Sequence, residues 1–374
     1  MNYRGLLKVP KNGEKQHYLN RPEWRWYQKY LPEDLRLEGE YIPTEEWWDF
    51  EEHQIHLDRY TIKNPKAKML LFHGGGGNGR ILGAFARMAM RAGCEVVAPD
   101  FPGYGLTVRS SKTKPTYALW SKVGSALIDA ERKKDGLPVI VWGLSIGGLL
   151  AYMAAAENKK VDGVISTTFA DTRKIETMAK VARNPLFGVG GFLLIKLLGP
   201  LIAPIRLPMK WLAPMELITN DPEVSRVFMR DRLAGGTTVT MGFFRSLINA
   251  KPAIEPEDFN VCPVLLAHPA VDPWTPLELS KQFFDRIKNK KELVLLEGCG
   301  HFPVEEPGRF QLEDALARFV NQVTKSVCVK LFSVRLSNKD LSARLFPSSA
   351  FFATALTFAG HSPYVTFSQP ENLT

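Results

Sequence analysis

An α/β fold with a mostly parallel central sheet and helices on both faces is what this chain predicts, and three observations predict it. Short apolar, β-branched runs recur, each followed by a turn and then by a segment of helical period. Such βαβ repetition requires crossover helices, which cover both faces of a parallel sheet. The chain is also long enough, at 374 residues with 45% hydrophobic content, to bury a substantial core.

The elements follow in order. Residues 1–44 are polar, aromatic and proline-punctuated, with Trp24, Trp26, Tyr27 and Tyr30 close together, and read as an N-terminal extension packed on the body. From Glu45 to Ile62 the polarity alternates, as in half-buried antiparallel strands. Then come strand 68–73, helix 80–92, strand 95–99, helix 117–134, strand 138–142, helix 146–157 and strand 161–168. After an interruption follow strand 262–268, helix 276–288, strand 292–297 and helix 309–324. The tail from Ser326 has no clear period, few acids and separate apolar clusters, so it reads as a poorly ordered extension.

Chemistry concentrates at the junctions. Pro138 to Gly148 is a strand that breaks into Gly143-Leu144-Ser145-Ile146-Gly147 and then an Ala/Leu-rich helix. A serine on a sharp strand-to-helix turn stands clear of the backbone, and the following helix aims free N–H groups at the site. Ala67 to Phe72 runs into His73 and four glycines, where bare backbone can approach a substrate closely. No G-K-[ST] follows, which excludes a phosphate loop, and no G-x-G-x-x-G with a distant acid marks a dinucleotide site. Asp272 and His301 each lie just past the C-terminal end of a predicted strand, the edge where open α/β sheets build their sites. Asp171, Asp258, Glu297 and Glu305 are the rival acids. Among the seven histidines, only His301 has the late strand-then-glycine setting.

In sum, His73-Gly74-Gly75, Asp100-Phe101-Pro102-Gly103-Tyr104-Gly105, Gly143-Leu144-Ser145-Ile146-Gly147-Gly148, Asp272-Pro273 and Gly300-His301-Phe302 resemble the ordered landmarks of the α/β-hydrolase superfamily. The branch they resemble is that of monoacylglycerol lipases and lysophospholipase-like serine hydrolases, which have His and Met where this chain has Leu144 and Ile146. The resemblance implies an α/β-hydrolase core over 45–171 and 259–325 and a helical cap over 172–258, inserted after the sixth core strand. Ser145 would be the nucleophile, His301 the base and Asp272 its orienting acid, in the order Ser…Asp…His. The amides of Gly75 and Ile146 would form the oxyanion hole. His73 would be structural, and the Asp100 loop would brace the pocket wall.

The expected activity is hydrolysis of carboxylic esters through an acyl-enzyme, with no cofactor and no metal. The cap residues 185–215 are rich in Phe, Leu, Ile, Gly and Pro, which suggests a lipid-like ester such as a monoacylglycerol or lysophospholipid. Lys196, Pro200 and Pro204 interrupt that stretch and speak against a membrane span. Peripheral membrane contact through the cap, with Arg206 and Lys210 at head-group level, is a candidate partner surface. The same triad could serve a peptidase, thioesterase, C–C hydrolase or acyltransferase, or the chain could be a non-catalytic binding scaffold. Serine at the elbow disfavours dehalogenase and epoxide-hydrolase chemistry, which use aspartate there. Net charge of +9 is scattered and carries no nucleic-acid motif. Cys94, Cys262, Cys299 and Cys328 show no paired spacing, and residues 1–15 show no apolar leader, which together suggest a cytoplasmic protein.

Overall fold

The computed structural model describes residues 15–345. Eleven α-helices and ten strands follow the chain among those residues. After α1 (Glu23–Gln28), strands β1 (Thr44–Phe50) and β2 (His53–Tyr60) form an antiparallel hairpin. Then come β3 (Ala67–Phe72), α2 (Gly83–Arg91), β4 (Cys94–Pro99), α3 (Tyr117–Asp135), β5 (Val139–Gly143), α4 (Ile146–Asn158) and β6 (Gly163–Ser166). The insertion holds α5 (Ile175–Val181), α6 (Pro185–Ile202), β7 (Arg206–Pro208), α7 (Met209–Leu212), α8 (Pro222–Arg230), β8 (Thr238–Thr240) and α9 (Met241–Ile248). The chain closes with β9 (Val264–Pro269), α10 (Leu277–Phe284), β10 (Lys291–Leu296) and α11 (Gly308–Leu345).

Eight strands make one sheet in the order β1-β2-β4-β3-β5-β6-β9-β10. Only β2 runs opposite to the other seven, antiparallel to both β1 and β4. Side chains of the central strands divide by parity. Leu70, Phe72, Val97, Val141, Val164 and Leu266 face one core, together with α3 and α4 residues such as Trp120 and Leu150. Met69, Leu71, Val96, Ile140, Ile165 and Leu265 face the other, with Phe85 of α2 and Phe319 of α11. A sheet buried on both faces explains why its strands read as continuous apolar runs.

The parallel strands place every strand-to-helix turn after β3, β5, β6, β9 and β10 at one sheet edge. The insertion between β6 and β9 has a small core of its own around Met178, Phe192, Ile195, Met241 and Ile248. Its other side joins the body through Met209, Met215, Phe228 and Phe243. It is not purely helical, since β7 and β8 pair antiparallel. Three aromatic residues of the N-terminal segment are buried, Tyr18 and Trp24 in one core and Tyr27 in the other, while Trp26 and Tyr30 are half-buried.

Two elements differ from the sequence reading. The strand expected over 161–168 is only Gly163–Ser166, because Thr167 and Thr168 turn to bond with Gly143 and Ser166. The last helix does not stop at residue 324 but continues to Leu345. No glycine or proline lies between Arg309 and Pro347, so nothing local ends it. The remainder of the tail, 346–374, lies outside the described residues.

Candidate active site

β5 delivers Ser145 to the sheet edge in a conformation few residues adopt. Its φ is 56° and ψ −132°, between the last strand residue Gly143 and the first helical residue Ile146. Such backbone persists only when its surroundings hold it. Here Leu144 N donates to Phe72 O at 3.1 Å, and Ser145 N donates to Thr167 Oγ1, also at 3.1 Å. The flanking glycines are dictated by space. A Cβ on Gly143 would stand 1.8 Å from Gly147 O, and one on Gly147 would stand 2.3 Å from Phe72 O.

The glycine loop after β3 lies against this turn. A Cβ on Gly74 would meet Ser145 Cβ at 2.8 Å, and one on Gly75 would meet Ile146 Cδ1 at 3.5 Å. Gly75 and Ile146 therefore border Ser145 together, and all three line one cavity. Ile146 is the first residue of α4, where an N–H has no acceptor within the helix. His73 is fully buried and bonded at both ring nitrogens, to Gly74 O at 2.9 Å and from Phe101 N at 3.0 Å. Burial holds its pKa below the ordinary value.

Past β9 and β10, Asp272 and His301 meet. His301 Nδ1 lies 2.8 Å from Asp272 Oδ2. An ionised carboxylate can only accept, so Nδ1 carries a proton, and in the neutral imidazole Nε2 then presents a lone pair. Asp272 Oδ1 accepts from Trp274 N at 2.8 Å and Thr275 N at 2.9 Å, while Thr275 Oγ1 donates to Oδ2 at 2.5 Å. Burial pushes the Asp272 carboxyl up, but the His301 charge and these bonds outweigh it and hold the pKa at about 2. The Trp274 ring lies on His301, centroids 4.6 Å apart, and fixes its plane. His301 Nε2 is buried and makes no hydrogen bond, and His301 and Ser145 line the same cavity.

Two of the rival acids, Asp171 and Glu305, are engaged elsewhere. Asp171 forms an ion pair with Arg173 at 2.8 Å. Glu305 turns its carboxylate to the backbone amides of Asn220, Gly300 and Val304. Cys299 is buried, donates to Glu305 O, and burial pushes its thiol up to about 12, unlike a nucleophile. Asp100 braces its loop as expected, accepting from Gly79 N, Leu106 N and the Tyr18 hydroxyl.

Three contributors escape sequence reasoning. Thr167, Trp274 and Thr275 carry no motif of their own, although an Asp followed two and three residues on by free amides has the spacing of a local side-chain turn. Among the described residues, Glu45, His56 and Asp58 have ligand atoms close enough to hold a metal, all within 4.8 Å. Arg80 occupies this cluster, bonded to Asp58 at 2.6 and 2.8 Å, and its charge opposes a second cation.

The Hydrolase_4 family, described as serine aminopeptidase S33, matches residues 63–308. This chain belongs to that family. The match starts just before β3 and ends at the first residue of α11, so it includes Ser145, Asp272 and His301. Polyketide transferase ATR5 of Stachybotrys chlorohalonatus is a sequence relative of this Hydrolase_4 member. It is 25% identical over 175 residues, spanning 44% of this chain and just over half, 56%, of the relative. A monoacylglycerol lipase of Paleococcus ferrophilus shares the fold, with a TM-score of 0.57 and 24% identity over 71% of this chain and 99% of its own. A soluble variant of monoglyceride lipase from Saccharomyces cerevisiae, in complex with a substrate analogue, gives a TM-score of 0.61 at 16% identity, over 75% and 96% of the two chains. A carboxyl esterase of Bacillus coagulans in complex with glycerol gives 0.59 at 16% identity, over 76% and 99%. Together with the family match, these make the fold an α/β-hydrolase fold. Two of the three are lipases of the branch that the sequence resembles. At these identities the likeness speaks for fold alone.

Proposed function

We propose that this protein is a serine hydrolase of apolar carboxylic esters, with Ser145, His301 and Asp272 as its triad. The observation that carries the reading is the free Nε2 of a histidine whose Nδ1 is fixed by a buried carboxylate, in one cavity with a serine on a strained turn. Ser145 Oγ attacks the ester carbonyl carbon while His301 Nε2 takes its proton. The carbonyl electrons move to oxygen, which the amides of Gly75 and Ile146 bind. Asp272 keeps the imidazole in its working tautomer and stabilises the imidazolium. The tetrahedral intermediate collapses, the imidazolium gives its proton to the departing alcohol, and an acyl-serine remains. Water, deprotonated by the same His301, then releases the acid. Side chains such as Met178, Val181, Leu212 and Phe243 line the Ser145 cavity and favour an apolar rather than a charged ester.

The insertion over 172–258 acts in this reading as the cap. It buries Gly188, Phe192, Ile195 and Gly199 on one face of α6 and leaves Leu186, Leu193, Leu197 and Leu201 exposed on the other. With exposed Trp211, Arg206 and Lys210 close in sequence, that face suits peripheral contact with a lipid surface. Among the described residues, no helix is long and apolar enough to cross a membrane. Replacing Leu197 and Leu201 by glutamate should weaken co-sedimentation with anionic vesicles several-fold; unchanged co-sedimentation would remove the surface role.

Transfer of the acyl group to an alcohol acceptor is the second reading, favoured by the likeness to a polyketide transferase. Release of p-nitrophenol from p-nitrophenyl esters tests the hydrolase reading. Turnover with water as the sole acceptor supports hydrolysis; a burst without turnover, relieved by an added alcohol, supports transfer.

A further inference from the structure

A small chamber lies against Ser145, and a much larger one adjoins the cavity that Ser145 shares with His301. One lies on the Gly75 and Ile146 side, closed by Met209, Phe243 and Trp274, with a volume of about 80 Å³. That is space for roughly six water-sized groups. The other, of about 640 Å³, is walled by Trp24, Tyr27 and Leu31 of the N-terminal segment and by Val224 and Phe228. It adjoins the catalytic cavity: Ile81, Ile218, Phe228 and Phe302 stand between it and the small cavity that holds Ser145 and His301. The N-terminal segment is tied down there, since the Tyr27 hydroxyl donates to buried Asp231 at 2.9 Å.

Mechanism assigns the chambers. With the carbonyl oxygen at Gly75 and Ile146, the departing oxygen must face His301 Nε2 to receive its proton. The alcohol half therefore extends on the His301 side, beside Phe302, and the acyl half extends away from it. The chemistry of the large chamber narrows its occupant. Its walls are mainly aromatic and aliphatic, and its carboxylates Asp221, Glu305 and Glu306 repel anions. Arg80, its cation, is already bound to Asp58.

We propose, resting on the triad reading above, that the alcohol half is the larger half of the substrate. It is an uncharged alkyl or aromatic alcohol seated between α1, α8 and Phe302, esterified to a short acyl group. In a transfer reaction the same chamber holds the acceptor alcohol. The N-terminal segment, which lies outside the family match, is then a specificity element.

Two isomeric esters test this without changing overall hydrophobicity: decyl acetate and ethyl decanoate. The proposal predicts a kcat/KM at least ten-fold higher for decyl acetate. Val224→Trp, which fills the chamber, should lower that ratio at least five-fold, with the melting temperature recorded as a check on folding. Leu31→Trp serves the same purpose from the N-terminal wall. Equal rates, a preference for ethyl decanoate, or a ratio that neither substitution moves would overturn the proposal, as would turnover of neither ester by a protein that a fluorophosphonate still labels at Ser145. Absence of that labelling would instead strike the triad reading itself.

Discussion

His56 and His301 are both buried, and both contact carboxylates. His56 Nε2 lies 3.0 Å from Glu45 and 3.9 Å from Asp58, and its Nδ1 lies 3.2 Å from Asp100. Burial pulls its pKa down, but the surrounding carboxylates outweigh burial and raise it to about 10. His301 meets one carboxylate through one nitrogen, and the other nitrogen opens on the cavity of Ser145. A histidine enclosed by acids on both sides is a fixed cation that holds structure together. A histidine held on one side alone keeps a lone pair to spend on chemistry. His73 makes the same point without charge, since both of its nitrogens are occupied by backbone.

That contrast can be broken by substitution. On the proposed triad, Ser145→Ala or His301→Ala should lower kcat for p-nitrophenyl butyrate by about 10⁴-fold or more, with the circular dichroism spectrum intact. Asp272→Asn keeps the shape but favours the wrong tautomer, and should cost kcat about 10³- to 10⁴-fold. Retention of a tenth of the activity in any of the three would argue that another group does the work. His56→Ala should act on the fold instead. It leaves Asp100 buried without its cation and Glu45 paired with Arg80, a loss of about 3–5 kcal/mol in urea unfolding. The fraction that folds should retain its kcat.

The pH dependence of stability separates the two histidines more gently. His56 is raised from an ordinary value near 6.5 to about 10 in the folded protein. Folding is therefore favoured by its protonation. This contribution is complete below about pH 6.5 and is lost as pH rises through 10. The urea midpoint of the wild type should fall between pH 7 and pH 10.5, and that slope should flatten in His56→Ala. An equal slope in both would place the titrating group elsewhere.

The same distinction explains what the sequence could and could not show. Ser145, Asp272 and His301, the proposed triad, stand out in the sequence because each sits where a local pattern ends: a strand running into glycines or into a proline-rich loop. Their partners Thr275, Trp274 and Thr167 do not, because contact in space leaves no local mark. The charge cluster around His56 was invisible for that reason too, drawing on Tyr18, Glu45, Arg80 and Asp100 from four separate segments. α6 misled by composition. Its buried face includes Gly188 and Gly199, so its many leucines fall on the exposed side, where a hydrophobic count expects burial. The length of α11 was missed because apolar spacing faded before any stop signal appeared.

The most direct test of the central claim is the site at which a fluorophosphonate bonds to the protein. Mass spectrometry of the labelled, digested chain should find one adduct, on Ser145, and Ser145→Ala should take up none. An unlabelled wild type, or an adduct that persists undiminished in Ser145→Ala, would contradict the account.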